Sequence, residues 1–215
     1  DIVFCNMPWA ISNRPSLSLG ILKGICSQEG IESRVIYSNI DFLTYIDEKV
    51  ATQFSVRRTL SGLSEHLFAC SIYGNDQLES EKFISNLLEY PAVHNAVSED
   101  LLFDARDNLI PKFLAFTVDR IINTSPSIIG FSATFNQVMA SLAAAKMIKE
   151  KNPEIITLFG GACFHDPMGQ EYHRACREFI DHVFLGEADD SFRKFIRSWN
   201  KGETLDKIPG VTYQD

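Results

Sequence analysis

The stretch from residue 127 to residue 165 constrains the fold of this chain more than any other. Residues 127–135 form a near-continuous apolar run that ends in small, hydroxylated side chains, which is typical of a strand buried on both faces. An alanine-rich segment without glycine or proline follows at residues 136–151 and predicts a helix. A second β-branched run, residues 155–161, ends in paired glycines. This order predicts a strand–helix–strand unit with parallel strands and a right-handed crossover.

Small residues follow both strands of this unit. Ser132 and Thr134 end the first strand, and Gly160, Gly161 and Ala162 end the second. Ligands in open α/β sheets bind outside the carboxyl ends of the strands. Hydroxyl groups and backbone amides at these positions can approach a bulky ligand closely, but they supply no acid–base group. The sequence therefore predicts a ligand-binding edge rather than a catalytic centre.

The residues at these strand ends, and Glu187 further along the chain, also have a purely structural interpretation. The hydroxyl groups of Ser132 and Thr134 suit capping of the following helix. The glycine pair at residues 160–161 suits an ordinary turn, and Glu187 suits the first turn of a helix because of the helix dipole. The sequence leaves both interpretations open.

Two further strands are predicted before the central unit, at residues 2–5 and 32–38. The residues between them, 17–29, have helical spacing. Gly20 and Gly24 lie on one face of that helix, where each glycine costs about 1 kcal/mol relative to alanine. We therefore expect the sheet or a ligand to approach this face closely.

Two polar residues and a proline mark the predicted starts of helices. Ser16 precedes the helix at residues 17–29, and its hydroxyl group can accept a hydrogen bond from the first turn. Asp189 is predicted to do the same for a helix at residues 190–200. Pro111 suits the first turn of a helix that continues to Asn123, because no N–H donor is needed there.

The alternation of strands and helices stops between residues 41 and 110. Apolar residues recur there every three or four positions, which predicts a helical insertion over 41–110 within one domain of residues 1–215. Its place after the second strand puts it at the carboxyl edge, as a cap, a docking surface or a packing element. Beyond the central unit, residues 166–178 predict a helix and residues 182–185 a fifth strand.

Composition argues against several classes of protein. The chain has 28 acidic and 20 basic residues and a net charge of −8, so it lacks the excess positive charge of a nucleic-acid surface. No apolar run approaches the roughly 20 residues of a membrane-spanning helix, and the chain start does not resemble a secretion signal. We therefore expect a cytoplasmic protein without a nucleic-acid or membrane partner. The five cysteines include no Cys-x-x-Cys pair, which predicts reduced core thiols.

Motifs of other site classes are missing from the sequence. Cys163, His165, His173 and Cys176 are metal-ligand residue types, but their spacing is irregular, unlike that of structural zinc sites, so no metal site is predicted. The chain contains neither the Gly-x-Ser-x-Gly motif of hydrolases nor the Gly-x-Gly-x-x-Gly fingerprint of dinucleotide-binding oxidoreductases.

Four motifs, each following its own strand, resemble those of a known family. They are Asn6-Met7-Pro8-Trp9 with residues 14–20, Gly130 to Thr134, Gly160-Gly161-Ala162, and Gly186-Glu187 followed by Ile208-Pro209-Gly210-Val211. Over roughly residues 1–40 and 111–215, the chain resembles the N-terminal cobalamin-binding domain of cobalamin-dependent radical SAM proteins. The most similar group is that of the C-methyltransferases in the maturation of ribosomally made peptides (RiPPs).

This resemblance implies a flavodoxin-like, doubly wound parallel sheet with strand order 2-1-3-4-5 that holds the corrin ring over its carboxyl edge. Met7 and Pro8 would border the corrin, and Ser132 and Thr134 would hydrogen-bond the nucleotide tail. The implied cofactor-binding residues are Asn6, Met7, Pro8, Ser16, Ser132, Thr134, Gly160, Gly161, Ala162, Gly186 and Glu187.

The chain departs from the family's patterns in two places. The loop after the fifth strand commonly reads Gly-Glu-Gly-Glu in the family, whereas Ala188 and Asp189 take the place of the second pair here. Cobalamin domains that ligate cobalt carry Asp-x-His-x-x-Gly after the first strand, and this chain has Asn-Met-Pro-Trp at residues 6–9. The resemblance therefore implies base-off cobalamin without a histidine ligand.

A radical SAM domain holds its iron–sulfur cluster on three clustered cysteines, which this sequence lacks. We expect a non-catalytic module of a longer enzyme, with the iron–sulfur cluster and S-adenosylmethionine bound by a C-terminal domain outside these residues. The expected partners are cobalamin, that radical SAM domain and a precursor peptide. The alternatives are a flavin- or other nucleotide-binding flavodoxin-like domain and a structural docking domain.

Overall fold

A parallel β-sheet forms the centre of the molecule. The computed structural model describes residues 1–205 and 208–213. Its five strands all run parallel in the order β2-β1-β3-β4-β5, which confirms the predicted flavodoxin-like fold and strand order. The strands are β1 (Ile2–Cys5), β2 (Ser33–Ile36), β3 (Ile128–Ser132), β4 (Ile156–Gly160) and β5 (His182–Val183).

Helices cover both faces of the sheet. One face packs against α1 (Leu17–Gln28) and α11 (Asp189–Asn200), which are joined where the Glu29 carboxylate accepts hydrogen bonds from Arg193 and Arg197. The other helices are α2 (Ser38–Asp41), α3 (Glu48–Val56), α4 (Ser61–Tyr73), α5 (Ser80–Leu88), α6 (Pro91–His94), α7 (Glu99–Asp104), α8 (Ile110–Ile122), α9 (Val138–Lys151) and α10 (Met168–Ala175).

The alternation of side chains along each strand produces two hydrophobic cores. Ile2 and Phe4 of β1 belong to the smaller core, which α1 and α11 cover. Val3 and Cys5 point to the opposite face and join the larger core, which is built with α4, α8 and α9. Because both faces are covered, β1 is buried along its whole length.

Short helices fill the region between β2 and β3, where the sequence predicts a helical insertion. Helices α3 to α7 lie within residues 41–110, and a π-helical segment, Ala105–Leu109, connects α7 to α8. The apolar residues of α4 and α8 pack into the larger core with α9. The region is therefore attached to one face of the sheet.

Several predicted boundaries are corrected by the structure. Asp189 is the first residue of α11 rather than its N-cap, a position that Ala188 occupies without a side-chain hydrogen bond. The fifth strand is shorter than residues 182–185, because Phe184 forms an antiparallel bridge with Val211. Ser16 does cap α1, since its hydroxyl group accepts a hydrogen bond from Leu19 N at 3.4 Å.

The prediction that the sheet approaches Gly20 and Gly24 is wrong. Both residues are exposed, and a Cβ atom added at either position would meet no atom of the chain within 4 Å. The glycine face of α1 therefore points to solvent.

The five cysteines are all buried and free of disulfide bonds, in agreement with the predicted core thiols. Burial raises the pKa of the Cys5 thiol to about 12, so this sulfur stays protonated. Within the described part of the chain, no helix has the length and apolar character needed to cross a membrane.

Candidate functional site

A cavity of about 340 Å³ opens at the carboxyl edge of the sheet, between the sheet and helices α1 and α11. Its volume lies within the range of roughly 300–1,000 Å³ that is usual for small-molecule sites. Residues from the ends of β1, β3 and β4 and from the turn after β5 line it together. Five of the residues predicted from the sequence are among them, namely Ser132, Gly160, Gly161, Gly186 and Glu187.

A larger and more open hollow of about 850 Å³ lies between α10 and the C-terminal segment. Charged side chains, such as those of Glu171, Arg174 and Glu178, line much of it. Among the residues that the structure describes, none from the loops after β1, β3 or β4 lines this hollow. We place the candidate site in the smaller cavity because the strand ends converge there, as expected for this fold.

Aromatic rings form the deep wall of the cavity. Phe4, Phe184 and Phe192 are each almost fully buried, and the ring of Phe192 lies edge-on to both others with centroid distances of 5.8 Å. Gly130 faces the Phe4 ring, and a Cβ atom at this glycine would lie only 2.8 Å from Phe4 Cδ1. The missing side chain at Gly130 therefore leaves the space that the Phe4 ring occupies next to β3.

Hydroxyl groups line one part of the entrance. The Oγ atoms of Ser18 and Ser132 lie 2.9 Å apart and connect α1 to the end of β3. Ser16 Oγ lies 3.0 Å from Ser18 Oγ and continues the series, although Ser16 does not line the cavity. A ligand at this entrance would meet groups that both donate and accept hydrogen bonds.

The turn after β5 adds negative charge to the cavity. Glu187 and Asp189 both line it, and both side chains are exposed at its rim. In the described portion of the chain, no lysine, arginine or histidine contributes to the lining. This charge distribution favours a neutral or cationic group in the cavity over an anionic one.

The structure explains the presence of glycine differently at each of the three predicted glycine positions in the cavity. Gly161 has a φ of +101°, and a Cβ atom there would lie 2.5 Å from Ala133 O. The packing of the loop after β4 against the loop after β3 therefore requires glycine at this position, with or without a ligand. Gly186 has a φ of +78°, and its nearest neighbour is the His165 ring at 3.6 Å. At Gly160 an added Cβ atom would only touch Phe184. Turn geometry thus accounts for Gly161 independently of a ligand.

Two predicted residues of the loop after β1, Asn6 and Met7, are buried outside the cavity. Gln137 Nε2 donates hydrogen bonds to Asn6 Oδ1 at 3.2 Å and to Met7 O at 2.7 Å. The hydroxyl group of Thr134 donates to Gln137 Oε1 at 2.6 Å and is likewise outside the lining. One buried amide group thus connects the loop after β1 to the loop after β3.

The two remaining predicted residues, Pro8 and Ala162, lie outside the cavity. Pro8 packs towards the helical region, in a crevice with Asn39 and Phe42. Ala162 begins a single 3-10 turn after β4. Neither residue contributes to the cavity, and their predicted contact with a cofactor stays a prediction.

Two large apolar side chains that are close in sequence to cavity-lining residues are exposed to solvent. Leu17, next to Ser18, is 78% exposed, and Phe135, three residues after Ser132, is 76% exposed. They are the most exposed large hydrophobic residues in the described part of the chain. Both are candidates for contact with a ligand that extends out of the cavity.

The sequence patterns missed several residues that line the cavity. Ser18 lies within the helical pattern of α1, and the only available signal was the repeated serine at residues 16 and 18. Phe4 and Phe192 carry ordinary core patterns. For Asp189 the sequence predicts a helix cap and a departure from the family's loop pattern, but no place in the lining.

Comparison with known families and proteins gives a limited result. No family model matches the chain. A protein described as an uncharacterized methyltransferase from Pyrococcus horikoshii is 26% identical over 121 residues. The match covers 56% of this chain and 24% of that protein, so the chain spans about a quarter of the relative's length. The similarity is a distant link to a methyltransferase.

Proposed function

We propose that this chain is a cobalamin-binding module of a radical SAM methyltransferase-like enzyme, which holds base-off cobalamin without a histidine ligand and has no catalytic activity alone. The observation that supports the proposal most is the cavity at the carboxyl edge, where Ser132, the glycines of two exit loops and Glu187 come together. The distant similarity to a methyltransferase agrees with the proposed class of enzyme.

The chemistry of the cavity suits the nucleotide tail of cobalamin. The walls formed by Phe4, Phe184 and Phe192 suit a flat, neutral aromatic base. The hydroxyl groups of Ser18 and Ser132 suit its ring nitrogen and the neighbouring ribose. These residues would hold the base in the protein, so that it would not serve as a ligand of the cobalt, which is the meaning of base-off.

The surface around the entrance suits a large ring. Leu17 and Phe135, which are close in sequence to Ser18 and Ser132 of the lining, expose apolar side chains that the corrin ring would cover. Asn6 and Met7 are buried and held by Gln137, and residues 6–9 include no histidine, so this loop would support the ring without an imidazole ligand. When bound, cobalamin would supply a methyl carrier for the enzyme.

The main alternative is a flavin- or other nucleotide-binding domain, and the charge at the site disfavours it. Flavin mononucleotide carries a phosphate monoester with about two negative charges, whereas the nucleotide tail of cobalamin carries a phosphodiester with one. The described lining offers Glu187 and Asp189 but no basic side chain, so it disfavours the more highly charged flavin nucleotide more strongly. A purely structural docking domain would have no use for an open cavity at this edge.

The proposed parent enzyme would supply the chemistry that this chain lacks. Its radical SAM domain would bind the iron–sulfur cluster and S-adenosylmethionine, and a precursor peptide would be its substrate. These partners belong to the proposal through the resemblance of the exit loops.

Variants at Ser132 test the proposal at the cavity itself. Ser132→Ala removes one hydroxyl group and should weaken the binding of methylcobalamin about fivefold to tenfold, the value of one hydrogen bond. Ser132→Leu should weaken it further, because the larger side chain occupies the entrance. Ser71→Ala, at an exposed position of α4, is the matched control and should bind like the wild type. Equal affinity of all four proteins would contradict the proposed site.

A further inference from the structure

The helices between β2 and β3 make polar contacts with the loop after β1. Asn39 of α2 accepts a hydrogen bond from Asn6 Nδ2 at 3.1 Å, and its own amide group donates to Ala10 O and Ile11 O at 3.5 and 3.4 Å. Trp9 Nε1 donates to Ser64 O of α4 at 3.3 Å. Directional hydrogen bonds of this kind fix the position of the loop relative to the helices.

The same helices also hold the loop after β3. Asn136 Nδ2 donates to Phe54 O of α3 at 3.0 Å. Asn136 O in turn accepts a hydrogen bond from Trp9 N at 3.2 Å, which connects the two loops directly. Both loops are therefore attached to the helical region and to each other.

Glu65 of α4 makes the most specific of these contacts. Its two carboxylate oxygens accept hydrogen bonds from Val138 N at 3.2 Å and Met139 N at 2.7 Å, the first two residues of α9. The N-cap residue of α9, Gln137, makes no side-chain capping hydrogen bond, and its amide group bonds to the two loops. Glu65 thus satisfies two free N–H groups and places negative charge at the positive end of the helix dipole.

The environment of Glu65 is costly for a carboxylate. Burial raises the pKa of this carboxyl group, although the hydrogen bonds from the backbone of Met139 and Val138 act in the opposite direction. A partly buried charge aimed at one helix end is a constraint on the position of that helix.

The helical region does not form a lid over the cavity. The described residues that line the cavity come from the segments 4–22, 130–132, 158–161 and 184–192, and none comes from the region between β2 and β3. The role of a cap, one of the three that the sequence leaves open, therefore does not fit the structure.

We infer that the helices between β2 and β3 are a positioning element for the loops after β1 and β3, with Glu65 as the principal positioning residue. Glu65 fixes the start of α9, and the adjacent Gln137 carries that position to Met7 O across the loop after β1. Under the proposed function, on which this part of the inference rests, the two loops would form the surface that carries the corrin ring.

Glu65→Gln tests the inference with minimal change of shape. One amide oxygen still accepts a hydrogen bond, but the NH₂ group turns towards the second N–H donor. We expect faster hydrogen exchange at the amides of Val138 and Met139 and in residues 6–11, and about tenfold weaker binding of methylcobalamin. Glu99→Gln, which alters an exposed acid in the first turn of α7, should change neither quantity.

A second control separates positioning from a general loss of stability. Val118 of α8 is fully buried, and Val118→Ala should lower the melting temperature without altering the two loops. If Val118→Ala weakens binding as much as Glu65→Gln does, the inference is wrong. It is also wrong if Glu65→Gln leaves exchange in residues 6–11 unchanged, a result that decides the matter even when the wild type binds no cobalamin and the proposed function has failed.

Discussion

At the residue scale, the shape of the cavity depends on a missing methyl group. Gly130 lies in the middle of β3, where a glycine normally weakens a strand. The Phe4 ring occupies the space that a side chain at residue 130 would need, and Phe4 forms part of the aromatic wall. The close approach of this ring explains the glycine.

Gly130→Ala should therefore be destabilising. The added methyl group would overlap the Phe4 ring, and overpacking of this kind costs about 1–3 kcal/mol. Urea-induced unfolding measures the effect. Gly62→Ala in helix α4 is the matched control, because an added Cβ atom at this position meets no atom within 4 Å. This variant should be more stable than the wild type by about 0.5–1 kcal/mol. Wild-type stability of the Gly130 variant would show that Phe4 has free space to move.

Three histidines should make the stability depend on pH. Burial is the first cause that lowers the pKa of His66, His173 and His182, and the charge of Arg106 lowers that of His66 further. The unfolded chain then binds more protons than the folded chain. The stability that comes from keeping these histidines neutral should therefore be fully present above the unfolded pKa of about 6.5. It should be lost as the pH falls below that value.

His66 offers the clearest test of this pH dependence. Its Nε2 atom lies 2.8 Å from Ser80 Oγ, to which Arg106 also donates a hydrogen bond at 3.2 Å. Unfolding free energies between pH 8 and pH 5 should decrease for the wild type and decrease less for His66→Gln, since one titrating group is gone. Identical pH slopes for the two proteins would refute the assignment.

Ser132 and Thr134 show how far the sequence reaches at this scale. Both end the same apolar run, and both were predicted to contact a ligand. β3 ends at Ser132, and the chain then turns so that the Thr134 hydroxyl group meets Gln137. The partner of Thr134 is set by the turn, which no local pattern contains.

At the scale of elements, long apolar runs were sufficient to place the strands. β3 and β4 follow from β-branched residues buried on both faces, and α9 ends before Pro153 as expected. The ends of β5 and α11 were less predictable. They depend on the antiparallel bridge between Phe184 and Val211 and on the local turn at Ala188.

Helix α1 provides a prediction about its two exposed glycines. Gly24 has open space around its missing side chain, so Gly24→Ala should be stabilising by about 0.5–1 kcal/mol through the higher helix propensity of alanine. The melting temperature and the urea midpoint report this gain. A loss of stability would mean that the packing at this face of α1 differs from that in the structure.

At the scale of the whole molecule, the sheet separates the cavity from the helical region. The cavity lies on the face that α1 and α11 cover, whereas the helices between β2 and β3 pack on the other face. The cavity and the helices between β2 and β3 both reach the carboxyl edge of the sheet, where the loops after the strands lie. The contacts between Glu65 and α9 join residues more than 70 positions apart, and no local sequence pattern can predict contacts at that separation.

The most direct measurement of the central claim is a titration of the chain with methylcobalamin, followed by absorbance and by melting temperature. We expect saturable binding with the absorbance of base-off cobalamin. At a ligand concentration about 100-fold above Kd, stabilisation of about 2.7 kcal/mol should raise the melting temperature by roughly 5–10 °C. Flavin mononucleotide at the same concentration should change neither signal. An unchanged spectrum and melting temperature with methylcobalamin, or saturable binding of flavin mononucleotide instead, would contradict the account.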